Sequence, residues 1–122
     1  MANPKDLEKA LRYSELMKAG KYSEARKIDL SHANLSHATL FLANLSHADL
    51  SNAHLSGADL SHADLSHANL FLANLSGANL SHANLSYATL SLATLSYANL
   101  TYAHLSGAKI SIGNVNRRIE SD

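Results

Sequence analysis

The chain contains no cysteine and no tryptophan, and only one of its 122 residues is proline. The absence of cysteine excludes a disulfide framework, thiol catalysis and any zinc site built on thiolates. No apolar run is long enough to span a bilayer, and the first residues contain no signal-peptide core, so we expect a cytoplasmic protein without a membrane partner. The length corresponds to one modest domain.

Charge is balanced overall but unevenly distributed. Ten basic residues match ten acidic residues, and this neutrality argues against nucleic acid as a partner, because binding phosphates needs an excess of positive charge. Residues 1–27 contain seven basic and four acidic side chains. Residues 28–112 contain all eight histidines but only five charged side chains, which are Asp29, Asp49, Asp59, Asp64 and Lys109.

The dominant feature of the sequence is a repeat with a period of five residues. Its unit is Ala-(Asn/Asp/Thr)-Leu-Ser-x, and seventeen consecutive units occupy residues 28–112. The recurring leucine, followed at the end by isoleucine, is predicted to form the core: Leu30, Leu35, Leu40, Leu45, Leu50, Leu55, Leu60, Leu65, Leu70, Leu75, Leu80, Leu85, Leu90, Leu95, Leu100, Leu105 and Ile110.

A period of five matches neither a regular helix nor a regular strand. Successive leucines would rotate by about 140° around an α-helix, and they would alternate between the two faces of a strand. Alanine and leucine are two residues apart, which places them on one face of an extended segment, but the next alanine is three residues further on. The chain must therefore bend at Ser-x in every unit and coil with leucine and alanine inside.

This pattern closely resembles the pentapeptide-repeat family, whose unit is Ala-(Asp/Asn)-Leu-x-x, and the resemblance covers residues 28–112. It implies an all-β fold, namely a right-handed quadrilateral parallel β-solenoid with four units in each coil and about four coils. Stacking is what stabilises such a fold, because one coil cannot bury its own leucines.

The segments on either side of the repeats have a different character. In residues 1–27, Asn3-Pro4 is typical of a helix start and Gly20 of a helix end, which predicts an N-terminal α-helical cap. Residues 113–122 are interpreted as a C-terminal tail or partial cap. We expect five apolar side chains to cover the first coil: Leu7, Leu11, Met17, Tyr22 and Ala25.

Serine, histidine and aspartate occur together in several units, for example as Ser46, His47 and Asp49. Nucleophilic catalysis needs such groups oriented inside a cleft, and a convex rod of short side chains offers none. We therefore expect no enzyme activity and no cofactor. The Asn and Asp side chains are interpreted as partners for backbone groups near each bend.

Coils of twenty residues would stack histidines in two ladders, each with a tyrosine at its end: His47, His67 and Tyr87 in one, and His62, His82 and Tyr102 in the other. Stacked imidazoles are able to bind zinc or nickel weakly and to respond to pH. No carboxylate is placed as a third ligand, so we favour a solvated ladder and predict no metal site.

Apolar residues replace Ser-x in several units and form the possible interaction surface: Phe41, Leu42, Phe71, Leu72, Leu92 and Ile112. In the four-sided register Leu72, Leu92 and Ile112 share one side, and Phe41-Leu42 lie on the opposite side. An exposed apolar patch usually marks an interface. The equally weighted alternative is that these side chains fold over the coil edge or contact the terminal segments.

Three functions are compatible with these observations. The favoured one is a non-catalytic scaffold or protein-interaction module, with an unknown protein partner or as a monomer or homodimer. The resemblance implies a second function, the protection of DNA gyrase by imitation of duplex DNA. That function requires a long acidic rod, and the short, neutral repeat region of this chain disfavours it. The third is a weak metal- or pH-responsive binder that acts through the stacked histidines.

Overall fold

Parallel β-bridges between residues twenty apart organise the repeat region. They run from the pair Asn34 and His54 as far as the pair Asn84 and His104, and each coil therefore contains four five-residue repeats. Near the end the same pairing extends over two residues, joining strands β1 (Thr89–Leu90) and β2 (Lys109–Ile110) in parallel. The computed structural model describes residues 1–110.

From Leu30 to Ala108, the repeats turn through β-turns centred on the two residues after each leucine, which are Ser-x in most units. In the first of these turns the amide of Ala33 donates to the carbonyl oxygen of Leu30 at 3.2 Å, and His32 between them has a φ of 62°. Among residues 1–110, thirteen non-glycine residues share this left-handed backbone, of which six are histidine, one asparagine, three leucine and three tyrosine. Histidine and asparagine tolerate the left-handed region better than most residues, which gives a backbone reason for histidine at the corners.

Leucine and alanine fill the interior of the coils. Each repeat leucine from Leu30 to Leu90 is at most 1 % exposed, and Leu105 is also buried. Leu95, Leu100 and Ile110 are half-buried, and they belong to the last coil of the described residues. The repeat alanines from Ala33 to Ala93 are buried beside the leucines, where the narrow tube would be overpacked by a larger side chain.

Two helices precede the coils, α1 (Pro4–Lys18) and α2 (Tyr22–Ala25). The side-chain oxygen of Asn3 accepts hydrogen bonds from the amides of Lys5 and Asp6, at 2.9 and 3.2 Å, so that it caps the start of α1. The helix ends shortly before Gly20, whose φ is 77°. The helix start and end predicted from the sequence are thus confirmed.

The face that α1 turns towards the coils differs from the expected one. Its buried residues are Ala10, Tyr13, Ser14, Leu16 and Met17. Leu11 and Tyr22 are 45 % and 55 % exposed, so the expectation that they cover the first coil is wrong. Leu11 follows Ala10 by one residue, which rotates it about 100° away from the buried stripe.

Groups of α1 bond to backbone groups at the open edge of the first coil. In later coils the corresponding amide donates to the preceding coil, as the amide of His54 does to the carbonyl of Ala33. The amide of Asn34 has no earlier coil, and it donates instead to a carboxylate oxygen of Asp6 at 2.8 Å. The carbonyl oxygen of Asn34 accepts from the amide of Asn3 at 2.9 Å.

Two further bonds follow the same principle on the opposite side of this coil, half a coil after Asn34. The amide of Asn44 donates to the hydroxyl oxygen of Ser14 at 2.8 Å. The hydroxyl of Tyr13 donates to the carbonyl oxygen of Ser46. Side chains of α1 therefore provide some of the partners that the backbone of a preceding coil provides elsewhere, so the β-edge is partly covered at this end.

Candidate interaction surface

The apolar residues singled out in the sequence lie on the outside of the corners. Phe41, Leu42, Phe71, Leu72 and Leu92 are between 38 % and 52 % exposed. Ile112 lies outside the described residues.

The five exposed residues form two separate groups. Leu92 follows Leu72 by twenty residues and occupies the same corner one coil later; with Phe71 beside Leu72, these three residues are called the distal patch. Phe41 and Leu42 precede Phe71 and Leu72 by thirty residues, or one and a half coils, and therefore lie on the opposite side. The structure thus groups Leu72 with Leu92 and separates both from Leu42.

Phe41 is partly covered by the next coil. Its ring meets the ring of His62 edge to face, with centroids 5.7 Å apart and an angle of 79° between the planes. Phe41 accordingly has a packing role within the chain, in addition to its exposed area. Among the rings of the described residues, Phe71 makes no corresponding contact.

The backbone does not account for leucine at the exposed corners. Leu42, Leu72 and Leu92 have φ values of 63°, 60° and 59°. This left-handed conformation costs a side chain with a Cβ about 1–2 kcal/mol, and asparagine or histidine tolerates it better than leucine. Leucine is therefore a poor choice for the corner itself, which favours a role for its exposed side chain.

Phe71 likewise replaces a residue that serves the fold. In seven of the described units the side chain of Asn or Asp accepts two hydrogen bonds from the following serine. Asp59, for example, accepts from the amide of Ser61 at 3.0 Å and from its hydroxyl at 2.6 Å. At the distal patch only the amide of Phe71 bonds to Asn69, at 3.1 Å. This unit therefore lacks the stabilising serine hydroxyl and has the exposed aromatic ring of Phe71 in its place.

The bonds from serine also affect the acidity of two aspartates. The Ser31 hydroxyl, followed by the Ser31 amide, holds the pKa of Asp29 below its ordinary value. Ser61 lowers the pKa of Asp59 in the same way. The interpretation of the Asn and Asp positions as partners of backbone groups near the bend is confirmed by these bonds.

The two histidine ladders predicted from the sequence are confirmed. The rings of His62 and His82 stack with centroids 4.5 Å apart, and Tyr102 follows His82 at 5.1 Å. In the other ladder the rings of His47, His67 and Tyr87 stack at 4.7 and 5.1 Å. Tyr87 and Tyr102 are more than half exposed, so both ladders line the solvent side of the corners.

Glycine makes room for rings of the preceding coil, a feature that sequence reasoning missed. A Cβ added to Gly107 would lie 2.6 Å from the ring of Tyr87, and one added to Gly57 would collide with the ring of His37. Each ring therefore leans over the residue twenty positions later. The sequence does contain a sign of this feature, because a glycine follows an aromatic or histidine residue at the same corner by twenty residues.

The ladder geometry does not favour a metal centre. Two bonds of about 2.0–2.1 Å hold the ligating nitrogens on zinc no more than about 4.2 Å apart. The rings of His62 and His82 are parallel within 5° and 4.5 Å apart, so they would have to tilt to converge on an ion. Within residues 1–110, no group of three or more His, Cys, Asp or Glu side chains is positioned to hold a metal.

Coils of four five-residue repeats, joined by parallel bridges, define a β-solenoid repeat protein. The family model for pentapeptide repeats matches in eight copies, over residues 40–77 and 73–111. The chain belongs to the pentapeptide-repeat family, as its sequence pattern predicts, and the right-handed β-solenoid is the fold of that family.

Several solved structures are similar to this chain. Rfr23, a pentapeptide repeat protein from the cyanobacterium Cyanothece 51142, is 44 % identical over 69 % of this chain and 60 % of its own, with a TM-score of 0.39. HetL from the cyanobacterium Nostoc sp. strain PCC 7120, described as involved in heterocyst differentiation regulation, is 36 % identical over 70 % of this chain and 50 % of its own, with a TM-score of 0.47.

A third similar structure is alr5209, a pentapeptide repeat protein from Nostoc PCC 7120, which is 31 % identical over 78 % of this chain and 93 % of its own, with a TM-score of 0.42. The chain thus spans only 50–60 % of the lengths of HetL and Rfr23. No curated protein sequence matches it. Up to residue 110, no helix combines the length and the hydrophobicity needed to cross a membrane.

Proposed function

We propose that this protein is a non-catalytic, four-sided solenoid, capped at its N-terminal end by α1, that works as a scaffold or protein-interaction module. The distal patch is the observation that carries this proposal. Phe71, Leu72 and Leu92 are exposed side by side, at positions where serine or a polar residue would suit the fold better. A contiguous exposed apolar patch on a soluble protein typically marks an interface.

The chemistry of the coils defines the kind of partner. Residues 28–110 contain four aspartates and one lysine, so the surface around the distal patch is nearly uncharged. Binding there is driven by burial of apolar area, and added salt, which screens exposed charges, is expected to change the affinity little. A second copy of this chain is a suitable partner, because no excess of charge on the coils repels it.

Site-specific photo-crosslinking tests this proposal. A photoreactive amino acid is introduced at Leu72 and, as a matched control, at Leu42, which has a similar exposure and φ but lies on the opposite side. The proposal predicts crosslinks to a second copy or to a different protein from position 72, and their loss on substitution of Leu92 by asparagine. Equal crosslinking from positions 72 and 42 would contradict it.

A further inference from the structure

A cleft lies where the two helices meet the first coils. Its volume is about 270 Å³, and its lining consists of Met17, Tyr22, Arg26, Asn44, Ser46 and His47. Met17 and Ser46 are buried and form the floor, whereas Tyr22, Arg26 and His47 are exposed and form the walls. The cleft therefore combines an apolar floor residue with a cationic side chain and a polar ring.

Arg26 has its positive charge available for a ligand. Its guanidinium group forms no ion pair with any residue from 1 to 110. Burial raises the pKa of the Tyr13 hydroxyl, and the positive charge of Arg26 opposes that rise. The guanidinium therefore has no carboxylate partner within residues 1–110.

His47 provides a second polar group at a defined position. Its ring stacks on the ring of His67, with centroids 4.7 Å apart and planes within 2° of each other. This stacking restricts the orientation of the imidazole, and one of its ring nitrogens carries a donor N–H. Arg26 follows α2 and His47 belongs to the first coil, and both line the cleft.

The surrounding charge favours an anion. Residues 1–27 contain seven basic and four acidic side chains, whereas the coils are nearly neutral. The cleft therefore lies at the positive end of the molecule, and a field of this sign attracts anions. The basic side chains are Lys5, Lys9, Arg12, Lys18, Lys21, Arg26 and Lys27.

We propose that this cleft binds a small organic carboxylate. Arg26 pairs with the carboxylate, because a guanidinium presents two parallel N–H groups that match its two oxygens. His47 donates to the same group, and Tyr22 and Met17 contact the apolar part of the ligand. The cleft volume of about 270 Å³ lies slightly below that of typical ligand sites, which span roughly 300–1,000 Å³, so the carboxylate carries one short apolar group.

Two sources supply this chemistry, a free organic acid and the C-terminal carboxylate of a peptide. Titration of the full-length, ¹⁵N-labelled protein with benzoate and with N-acetylphenylalanine distinguishes them, since only the second contains an amide next to the carboxylate. N-acetylphenylalanine amide, which lacks the charge, serves as the ligand control. The proposal predicts saturable shifts of amides around Arg26 and His47 with at least one of the acids and none with the amide.

Arg26→Gln is expected to weaken binding about tenfold or more, since it removes a charged hydrogen-bonding partner. Lys27→Gln is the matched control, because it removes the same charge from the next residue, which does not line the cleft, and it is expected to change the affinity less than about twofold. Tyr22→Ala, at an exposed position, is expected to weaken binding of either aromatic acid and not of acetate.

Three results would overturn the proposal. The first is the absence of saturation up to about 10 mM of either acid, which corresponds to no useful affinity. The second is equal weakening by Arg26→Gln and Lys27→Gln, which would show general charge attraction in place of a site. The third is tighter binding of inorganic phosphate than of either acid, which would assign the cleft to a different anion.

Discussion

The hydroxyl of Tyr13 donates a hydrogen bond of 2.5 Å to the carbonyl oxygen of Ser46, thirty-three residues later. One repeat further on, the carbonyl of Ser51 occupies the corresponding position and accepts a hydrogen bond from the amide of His32 in the preceding coil. Ser46 has no such coil before it, and a side chain of α1 takes the place of the amide. This bond ties the helix to the solenoid at a buried position.

Tyr13→Phe is expected to lower the free energy of unfolding by about 1–3 kcal/mol, because the carbonyl of Ser46 then loses its partner in a buried place. Denaturant unfolding measures the change. Tyr22→Phe is the control, since Tyr22 is exposed and its hydroxyl makes no bond within the described residues, and it is expected to have almost no effect. Equal effects of the two substitutions would contradict the capping role of α1.

The pair Asp59 and Ser61 predicts a dependence of stability on pH. The Ser61 bonds hold the pKa of Asp59 below its ordinary value of 3.8 in the folded state. A lowered folded pKa stabilises the fold above the unfolded pKa, and this stabilisation is lost as the pH falls from the unfolded pKa through the folded one. Ser61→Ala is expected to raise the pKa of Asp59 and to flatten the acid side of the stability profile.

The matched control for this change is Ser81→Ala. Ser81 lies on the same corner one coil later and donates its amide to Asn79, which does not ionise. Titration of the Asp59 carboxyl by ¹³C NMR, together with unfolding between pH 2 and pH 6, distinguishes the two variants. A pKa for Asp59 that stays the same in Ser61→Ala would show that the hydroxyl bond is not its cause.

Comparing alanine substitutions at Gly57 and Gly77 separates the effect of a clash with a ring from the effect of backbone strain. Both have a φ near 70°, at 68° and 69°, and both occupy the same corner. A Cβ at Gly57 collides with the ring of His37, whereas a Cβ at Gly77 meets only the Gly57 amide nitrogen at 3.9 Å. Gly57→Ala is therefore expected to destabilise the fold by roughly 1 kcal/mol more than Gly77→Ala.

A double-mutant cycle identifies the source of this difference. In a His37→Ala background the ring is absent, and Gly57→Ala is then expected to cost no more than Gly77→Ala does. Thermal and denaturant unfolding of the single and double variants supply the four free energies. A difference that persists without the His37 ring would show that the clash is not responsible.

The repeat region could be predicted from the sequence to a large extent, because every unit has the same pattern of inward-facing and bend residues. The two-residue spacing of alanine and leucine indicates the inward face, and Ser-x indicates the bend. The number of units per coil could not be worked out from the period, because it depends on the angle of each bend; it came from the family resemblance. Once twenty residues per coil are known, ladders such as His62 and His82 follow.

The junction between the helices and the coils was harder to predict. Partners such as Tyr13 and Ser46 are far apart in sequence and belong to segments with different periods, so no pattern links them. Histidine recurs at the second residue of the bend, but the sequence alone does not show that this position has a left-handed backbone. Leu11 is exposed although its spacing predicts a buried position. Periodicity alone does not distinguish an apolar residue at the edge of a helical stripe from one at its centre.

The distal patch is proposed to be a protein-binding surface, in the first place for a second copy of this chain. Light scattering coupled to size exclusion tests it, using the full chain, the double variant Leu72→Asn/Leu92→Asn, and Leu42→Asn as control. Asparagine suits a left-handed corner, so all three should fold. The full chain and Leu42→Asn are expected to exceed the monomer mass of 13.1 kDa with rising concentration, whereas the double variant is expected to stay at that mass. A full chain that stays at the monomer mass, or a double variant that associates as the full chain does, would contradict it.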